Sequence, residues 1–194
     1  MKKDIILSGV GGQGILSIAT VIGRAALEEG LQIKQAEVHG MSQRGGDVQS
    51  NLRISSSRID SDLIARGGAD LIISLEPMEA LRYLPWLAAD GWVITNTVPF
   101  VNIPNYPDAE ALQHELASLP HVVALDVDSL AKAAASPRSA NMVLLGAAAP
   151  FLGLEAEKFE QGIRAIFARK GDAVVEMNLA AFRAGYEQAK KQIR

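Results

Sequence analysis

Gly9-Val10-Gly11-Gly12-Gln13-Gly14 follows directly on the apolar run Asp4-Ile5-Ile6-Leu7-Ser8, and this junction decides the fold. The run reads as a buried strand. Beyond the glycines, Ile15, Leu16, Ile18, Ala19, Ile22 and Ala26 recur at helical spacing, which predicts a helix over Gln13–Glu29 stopped by Gly30. Gln32–Val38 reads as the next strand. The opening segment is therefore a strand–helix–strand unit, and a right-handed crossover sets its two strands parallel.

Gly9-x-Gly11-x-x-Gly14 has the spacing of a dinucleotide-binding turn. Its first glycine allows the tight bend, the second lets backbone approach a phosphate, and the third permits close helix–strand packing. Glu37 ends the second strand, where an acid would meet a ribose. From the residues alone three readings of the loop stay open: a nucleotide site, a seat for another ligand or a subunit, and a bare turn. The first would make the chain a free-standing NAD(P)-dependent oxidoreductase.

The second strand leads into His39-Gly40-Met41-Ser42-Gln43-Arg44-Gly45-Gly46. This segment crowds polar donors at the same sheet edge, where α/β proteins bind ligands. Arg44 suits a phosphate, a carboxylate or an acidic partner surface; its alternative is a solvated loop charge. Glu76-Pro77 ends a later strand at that edge, with Glu76 either part of the site or a cap on the following helix. The candidate binding residues are Gly9, Gly11, Gly12, Gln13, Gly14, His39, Ser42, Gln43, Arg44, Gly45, Gly46 and Glu76. No catalytic residue is assigned, since His39 has neither a nucleophile nor a second base beside it, and Ser8, Ser17, Ser42 and Ser74 lie in no G-x-S-x-G elbow. No metal site is assigned, because His39, His114 and His121 are dispersed.

After the second loop, Val48, Ser50, Leu52 and Ile54 alternate with polar residues as in a strand with one wetter face. Ser55-Ser56-Ser57 followed by Arg58-Ile59-Asp60 suggests a short hairpin and a mixed sheet. Ala69–Leu75, Gly91–Thr95 and His121–Leu125 read as strands, with helices expected over Pro77–Leu87 and Asp108–Ala117. Val98–Pro107 holds three of the eight prolines and reads as a loop. Helices are expected over Val127–Ala135, Ser139–Leu152, Glu155–Phe167 and Asp172–Lys191. The class is α/β, a doubly wound and mostly parallel sheet with a helical C-terminal third. The alanines after Gly146 in that third suit close helix packing within the core or against another subunit.

Length and composition bound the function. At 194 residues the chain is expected to be one domain, 1–194, large enough for a full core. A net charge of −3 gives no general attraction to nucleic acid or anionic membrane. There is no cysteine, which excludes disulfides, thiolate zinc and cysteine-ligated iron–sulfur clusters within the chain. With no stretch approaching the ~20 apolar residues of a membrane span, a cytoplasmic location is expected. A thiamine diphosphate site needs Gly-Asp-Gly with an asparagine about thirty residues later, and Gly46-Asp47-Val48 and Gly171-Asp172-Ala173 do not fit that pattern.

Four segments in order carry a resemblance: Gly9–Gly14; Glu37-x-His39-Gly40-Met41-Ser42-Gln43-Arg44-Gly45-Gly46; Leu75-Glu76-Pro77; and Asn141-Met142-x-x-Leu145-Gly146-Ala147. Together they resemble the gamma-type domain of 2-oxoacid:ferredoxin oxidoreductases over nearly the whole chain, most of all members serving indolepyruvate. The resemblance implies a division of labour. A large partner subunit would carry thiamine diphosphate and iron–sulfur clusters and decarboxylate arylpyruvates, with electrons passing to ferredoxin and the acyl group to coenzyme A. This chain would bind no cofactor alone, would complete the assembly beside the thiamine site and would border the coenzyme A pocket.

Overall fold

The computed structural model describes residues 1–39 and 46–193, of His39 the backbone alone. Strands β1 (Lys2–Val10), β2 (Gln32–His39), β3 (Asp47–Ser55), β4 (Ala69–Ser74), β5 (Leu87–Asn96) and β6 (Val122–Leu125) form one six-stranded sheet, in the order β2-β3-β1-β4-β5-β6. β1, β4, β5 and β6 run parallel, while β3 is inserted antiparallel between β1 and β2. β1 and β2 still point the same way, as the crossover requires, but do not touch.

That insertion is why the sheet is mixed, and it corrects the source expected for the mixing. The hairpin at Ser55–Asp60 does not form: Arg58–Asp60 lies outside any strand, and β3 pairs back on β2 instead. The cause is Arg53. Its guanidinium grips the Asp4 carboxylate at 2.7 and 2.9 Å and also donates to the carbonyls of Ser61 and Leu63 at 3.0 and 3.1 Å. The returning chain is thus held by a side-chain fork rather than a backbone ladder. Burial would push the Asp4 carboxyl up, but Arg53 and Lys2 outweigh it and hold it below the usual range.

Both sheet faces are covered, as in a doubly wound fold. Ile5 and Leu7 of β1 and Leu71 and Ile73 of β4 face the core built with α1 (Ile15–Glu28), α4 (Val127–Ala134), α5 (Ala140–Ala148), α6 (Ala156–Phe167) and α7 (Asp172–Gln192). The alternate residues Ile6 and Ile72, with Val93 of β5, pack against α2 (Pro77–Arg82), Tyr83 and α3 (Ala109–Ala117). Two helices end earlier than their patterns suggest, each where a proline tightens the chain into a 3₁₀ turn: Leu84–Trp86 holds Pro85 and Ala149–Phe151 holds Pro150.

α5 and α7 cross through reciprocal glycines. A Cβ on Gly146 would lie 1.9 Å from the Phe182 carbonyl oxygen, and one on Gly185 would lie 1.9 Å from that of Val143. The small residues of this region therefore serve the chain's own core, where Gly146 and Ala147–Ala149 are buried. Gly146→Ala or Gly185→Ala should force the helices apart and cost about 3 kcal/mol or more, beyond the usual overpacking range of ~1–3 kcal/mol. Gly23→Ala, inside α1 with only Ile33 Cδ1 at 3.7 Å, should instead stabilise by about 0.5–1 kcal/mol. Denaturant midpoints of the three variants check both signs.

Candidate functional site

The glycine turn sits at the carboxyl end of β1, where the chain departs to one face through α1 and the neighbouring β4 departs to the other through α2. This is the switch point at which open α/β sheets bind ligands. Gly9, Gly12 and Gly14 have φ of +157, +104 and +91°, and the last of these enters α1 in a left-handed conformation. A side chain at Gly14 would also strike Asn141, whose Nδ2 would stand 2.7 Å from the new Cβ.

Gln13 closes the turn. Its Oε1 accepts from Val10 N–H at 2.7 Å and its Nε2 donates to the Leu75 carbonyl at 3.1 Å, so one amide ties the end of β1 to the end of β4. Asn141 Nδ2 donates to the Gly14 carbonyl at 3.3 Å and fastens the start of α5 to the same turn. The ends of the second loop lie alongside: Gly11 N–H donates to the Gly46 carbonyl at 2.9 Å, Val10 pairs with Asp47, and His39 with Val48. Gly40, Met41, Ser42, Gln43, Arg44 and Gly45 lie outside the described residues, as does the side chain of His39.

Between these elements is a crevice of about 200 Å³, lined by Gly12, Gln13, Leu75, Asn96, Asp128, Arg138 and Asn141 among others. The start of α5, at Ala140 and Asn141, lines it together with the exposed Arg138, and the exposed Asp128 carboxylate stands among the same residues. Arg138 and the start of α5, which has no acid in its first turn, favour an anion. Asn96 organises the far wall. Its Oδ1 accepts from Val98 and Val127 N–H at 3.2 and 3.3 Å, while its Nδ2 donates to Asp128 at 3.0 Å. The crevice has the size of a phosphate or carboxylate with its neighbours, below the ~300–1,000 Å³ of a drug-sized ligand pocket.

Glu76 is brought to this edge but is fully buried. Its Oε2 accepts from Glu79 N–H at 2.8 Å, capping α2, and its Oε1 accepts from Phe100 N–H at 3.3 Å and from the Tyr106 hydroxyl. Burial and the carboxylate push the Tyr106 phenol well above its ordinary range. Nearby, burial raises the Glu79 carboxyl although Arg82 grips it at 2.8 and 3.2 Å. Burial, with Asp47 and Glu79, pushes Tyr83 up to about 12.

Glu37 is not brought in. It is exposed on the edge strand, with β3 between it and β1, about 10 Å away at two strand spacings. The ribose contact of a dinucleotide site is therefore missing, and the free-standing NAD(P) reading loses its acid. Asn96, Asp128, Arg138 and Asn141 were not among the residues singled out as binding groups. Asn96 had a usable signal, the last residue of a parallel strand, and Asn141 stood in a family-like segment. Asp128 and Arg138 had none. Among the described residues no group of histidines and carboxylates is arranged to hold a metal, and no helix is long and apolar enough to cross a membrane.

Gln13→Glu tests the closure of the turn. The carboxylate keeps the bond from Val10 but faces the Leu75 carbonyl without a proton, so stability at neutral pH should fall by about 1–3 kcal/mol. That environment raises the folded-state pKa of the new carboxyl, so the deficit should shrink as the pH falls and the group protonates to donate. Denaturation at neutral and mildly acidic pH, compared with the parent, checks the sign.

Comparison with known proteins bears on the chain as a whole. An indolepyruvate oxidoreductase subunit of Archaeoglobus fulgidus is 37% identical over 198 residues, covering 97% of this chain and 96% of that one. The solved gamma subunit of a keto/oxoacid ferredoxin oxidoreductase from Geobacter sulfurreducens superposes with a TM-score of 0.71 at 26% identity, covering 97% of this chain and 99% of that one. The 2-oxoglutarate:ferredoxin oxidoreductase of Magnetococcus marinus has the same fold in 31% of its longer chain, with a TM-score of 0.77 over 98% of this one at 22% identity. Residues 4–188, both crevice walls included, match the family described as pyruvate ferredoxin/flavodoxin oxidoreductase, and the chain belongs to that family.

Proposed function

We propose that this chain, residues 1–194 as one gamma-type module, is the small subunit of a cytoplasmic complex that oxidatively decarboxylates 2-oxoacids, arylpyruvates such as indolepyruvate among them. The observation that carries this reading is full-length likeness, 37% over nearly all of both chains, to a subunit named for indolepyruvate oxidation. The composition supports it from the other side. Without cysteine the chain has no thiolate for an iron–sulfur cluster, and it has no thiamine motif, so the electron path to ferredoxin belongs to a large partner subunit.

In this reading the chain's own work is binding and orientation. The residues present fit an anionic group of coenzyme A: Arg138, the Asn141 amide and the start of α5 would hold it, and bound coenzyme A would supply the thiol that accepts the acyl group. Gly9, Gly11, Gly12 and Gly14 let backbone approach closely, Gln13 keeps the turn in shape, and Glu76 fixes the neighbouring loop. His39, Ser42, Gln43, Arg44, Gly45 and Gly46 would belong to the same binding surface, the planar guanidinium of Arg44 being suited to a carboxylate or phosphate.

The assay is arylpyruvate oxidation with coenzyme A and a ferredoxin or viologen acceptor. The chain alone should be inactive, and activity should appear when the large subunit is added. Arg44→Ala should keep the parent's melting temperature while lowering reconstituted turnover at least ~tenfold, equivalent to ~1.4 kcal/mol. Turnover by the isolated chain, cleared of partner, would refute the subunit reading.

A further inference from the structure

The segment between Asn96 and Asp108 is Thr-Val-Pro-Phe-Val-Asn-Ile-Pro-Asn-Tyr-Pro, without a single charged residue. Four of its apolar side chains face solvent: Val98, Phe100, Val101 and Ile103, with Val101 71% exposed. Single exposed apolar residues are ordinary, but four within six positions form a patch of the kind that marks interaction surfaces.

The loop is also held in shape from within. Asn96 clamps Val98 from both sides, accepting from its N–H at 3.2 Å and donating to its carbonyl at 3.4 Å. The buried Glu76 carboxylate accepts from Phe100 N–H and the Tyr106 hydroxyl. A fully buried carboxylate spent on fixing an exposed loop keeps the apolar side chains outside, where they cannot collapse onto the core. A surface ordered before binding loses less conformational entropy on docking.

From these contacts we infer that the 97–107 loop is a docking surface for an uncharged, apolar patch on the large subunit. The inference rests on the subunit reading above. The lack of charge matches the centre of a protein interface, where charged residues are depleted. Asn96 lines the crevice and also holds Val98, so the loop starts at the crevice wall. In the Magnetococcus structure the same fold is joined in one chain to more than twice its own length of further protein, so a relative of this module is built into a larger body.

The test is titration of the cofactor-loaded large subunit with the parent chain, Val101→Asp and Leu27→Asp, read by biolayer interferometry, with light scattering of each isolated chain. Leu27 is another strongly exposed apolar residue, near the C-terminal end of α1, and serves as the control. Val101→Asp should melt like the parent and raise the Kd at least ~tenfold, while Leu27→Asp binds like the parent. Unchanged binding by Val101→Asp overturns the assignment. So does equal weakening by Leu27→Asp, or a loop variant that changes only the self-association of the isolated chain. If the parent itself fails to bind the large subunit, the subunit reading fails first and takes the docking surface with it.

Discussion

The close crossing of α5 and α7 is the constraint on which the site depends. With Gly146 and Gly185 each in a position where a methyl group would overlap a facing carbonyl oxygen, the two helices pack at backbone contact and their register has little freedom. That fixes α5 against the sheet, and Asn141 in its first turn is thereby delivered to the Gly14 carbonyl. The wall of the crevice formed by α5 is thus set by packing at its other end. The glycine turn is then held by two amides, Gln13 from within and Asn141 from across, and by its own backbone, with Gly11 N–H donating to Gly46 and Gln13 N–H to Val10.

This arrangement explains how a dinucleotide-like fingerprint comes to serve another purpose. In a dinucleotide fold the second strand of the unit lies beside the first, and its terminal acid reaches the ribose. Here β3 lies between them, and Glu37 is carried to the edge of the sheet. What remains at the switch point is a small crevice lined by Arg138, Asn141, Asn96 and Asp128, bordered by an uncharged loop fixed on Glu76. A crevice and an apolar rim, with no cluster ligands, are the parts expected of a chain that completes a larger oxidoreductase.

Much of the fold could be read from the sequence because its elements are strongly periodic. Ile5, Leu7, Ile18 and Ile22 announce a buried strand and the helix covering it, and the turn between them has only one economical location. The insertion of β3 could not be read. Val48–Ile54 alternates in the same way whether it pairs with β1, β2 or both, and the pairing rests on Arg53 reaching Asp4 far back in the chain. The site divides along the same line. The glycines and Glu76 carry local signatures at strand ends, whereas Asp128 and Arg138 are ordinary surface charges until α4 and α5 bring them to one crevice.

If the carboxyl-end crevice of this sheet faces the large subunit, assembly should shield it from solvent. Hydrogen exchange of the chain, free and in the reconstituted complex, reads that shielding. Exchange should slow on assembly for amides in residues 9–14 and 126–141, with residues 55–61 at the opposite end of the sheet unchanged. Protection confined to 55–61, with the glycine turn exchanging as in the free chain, would contradict that orientation.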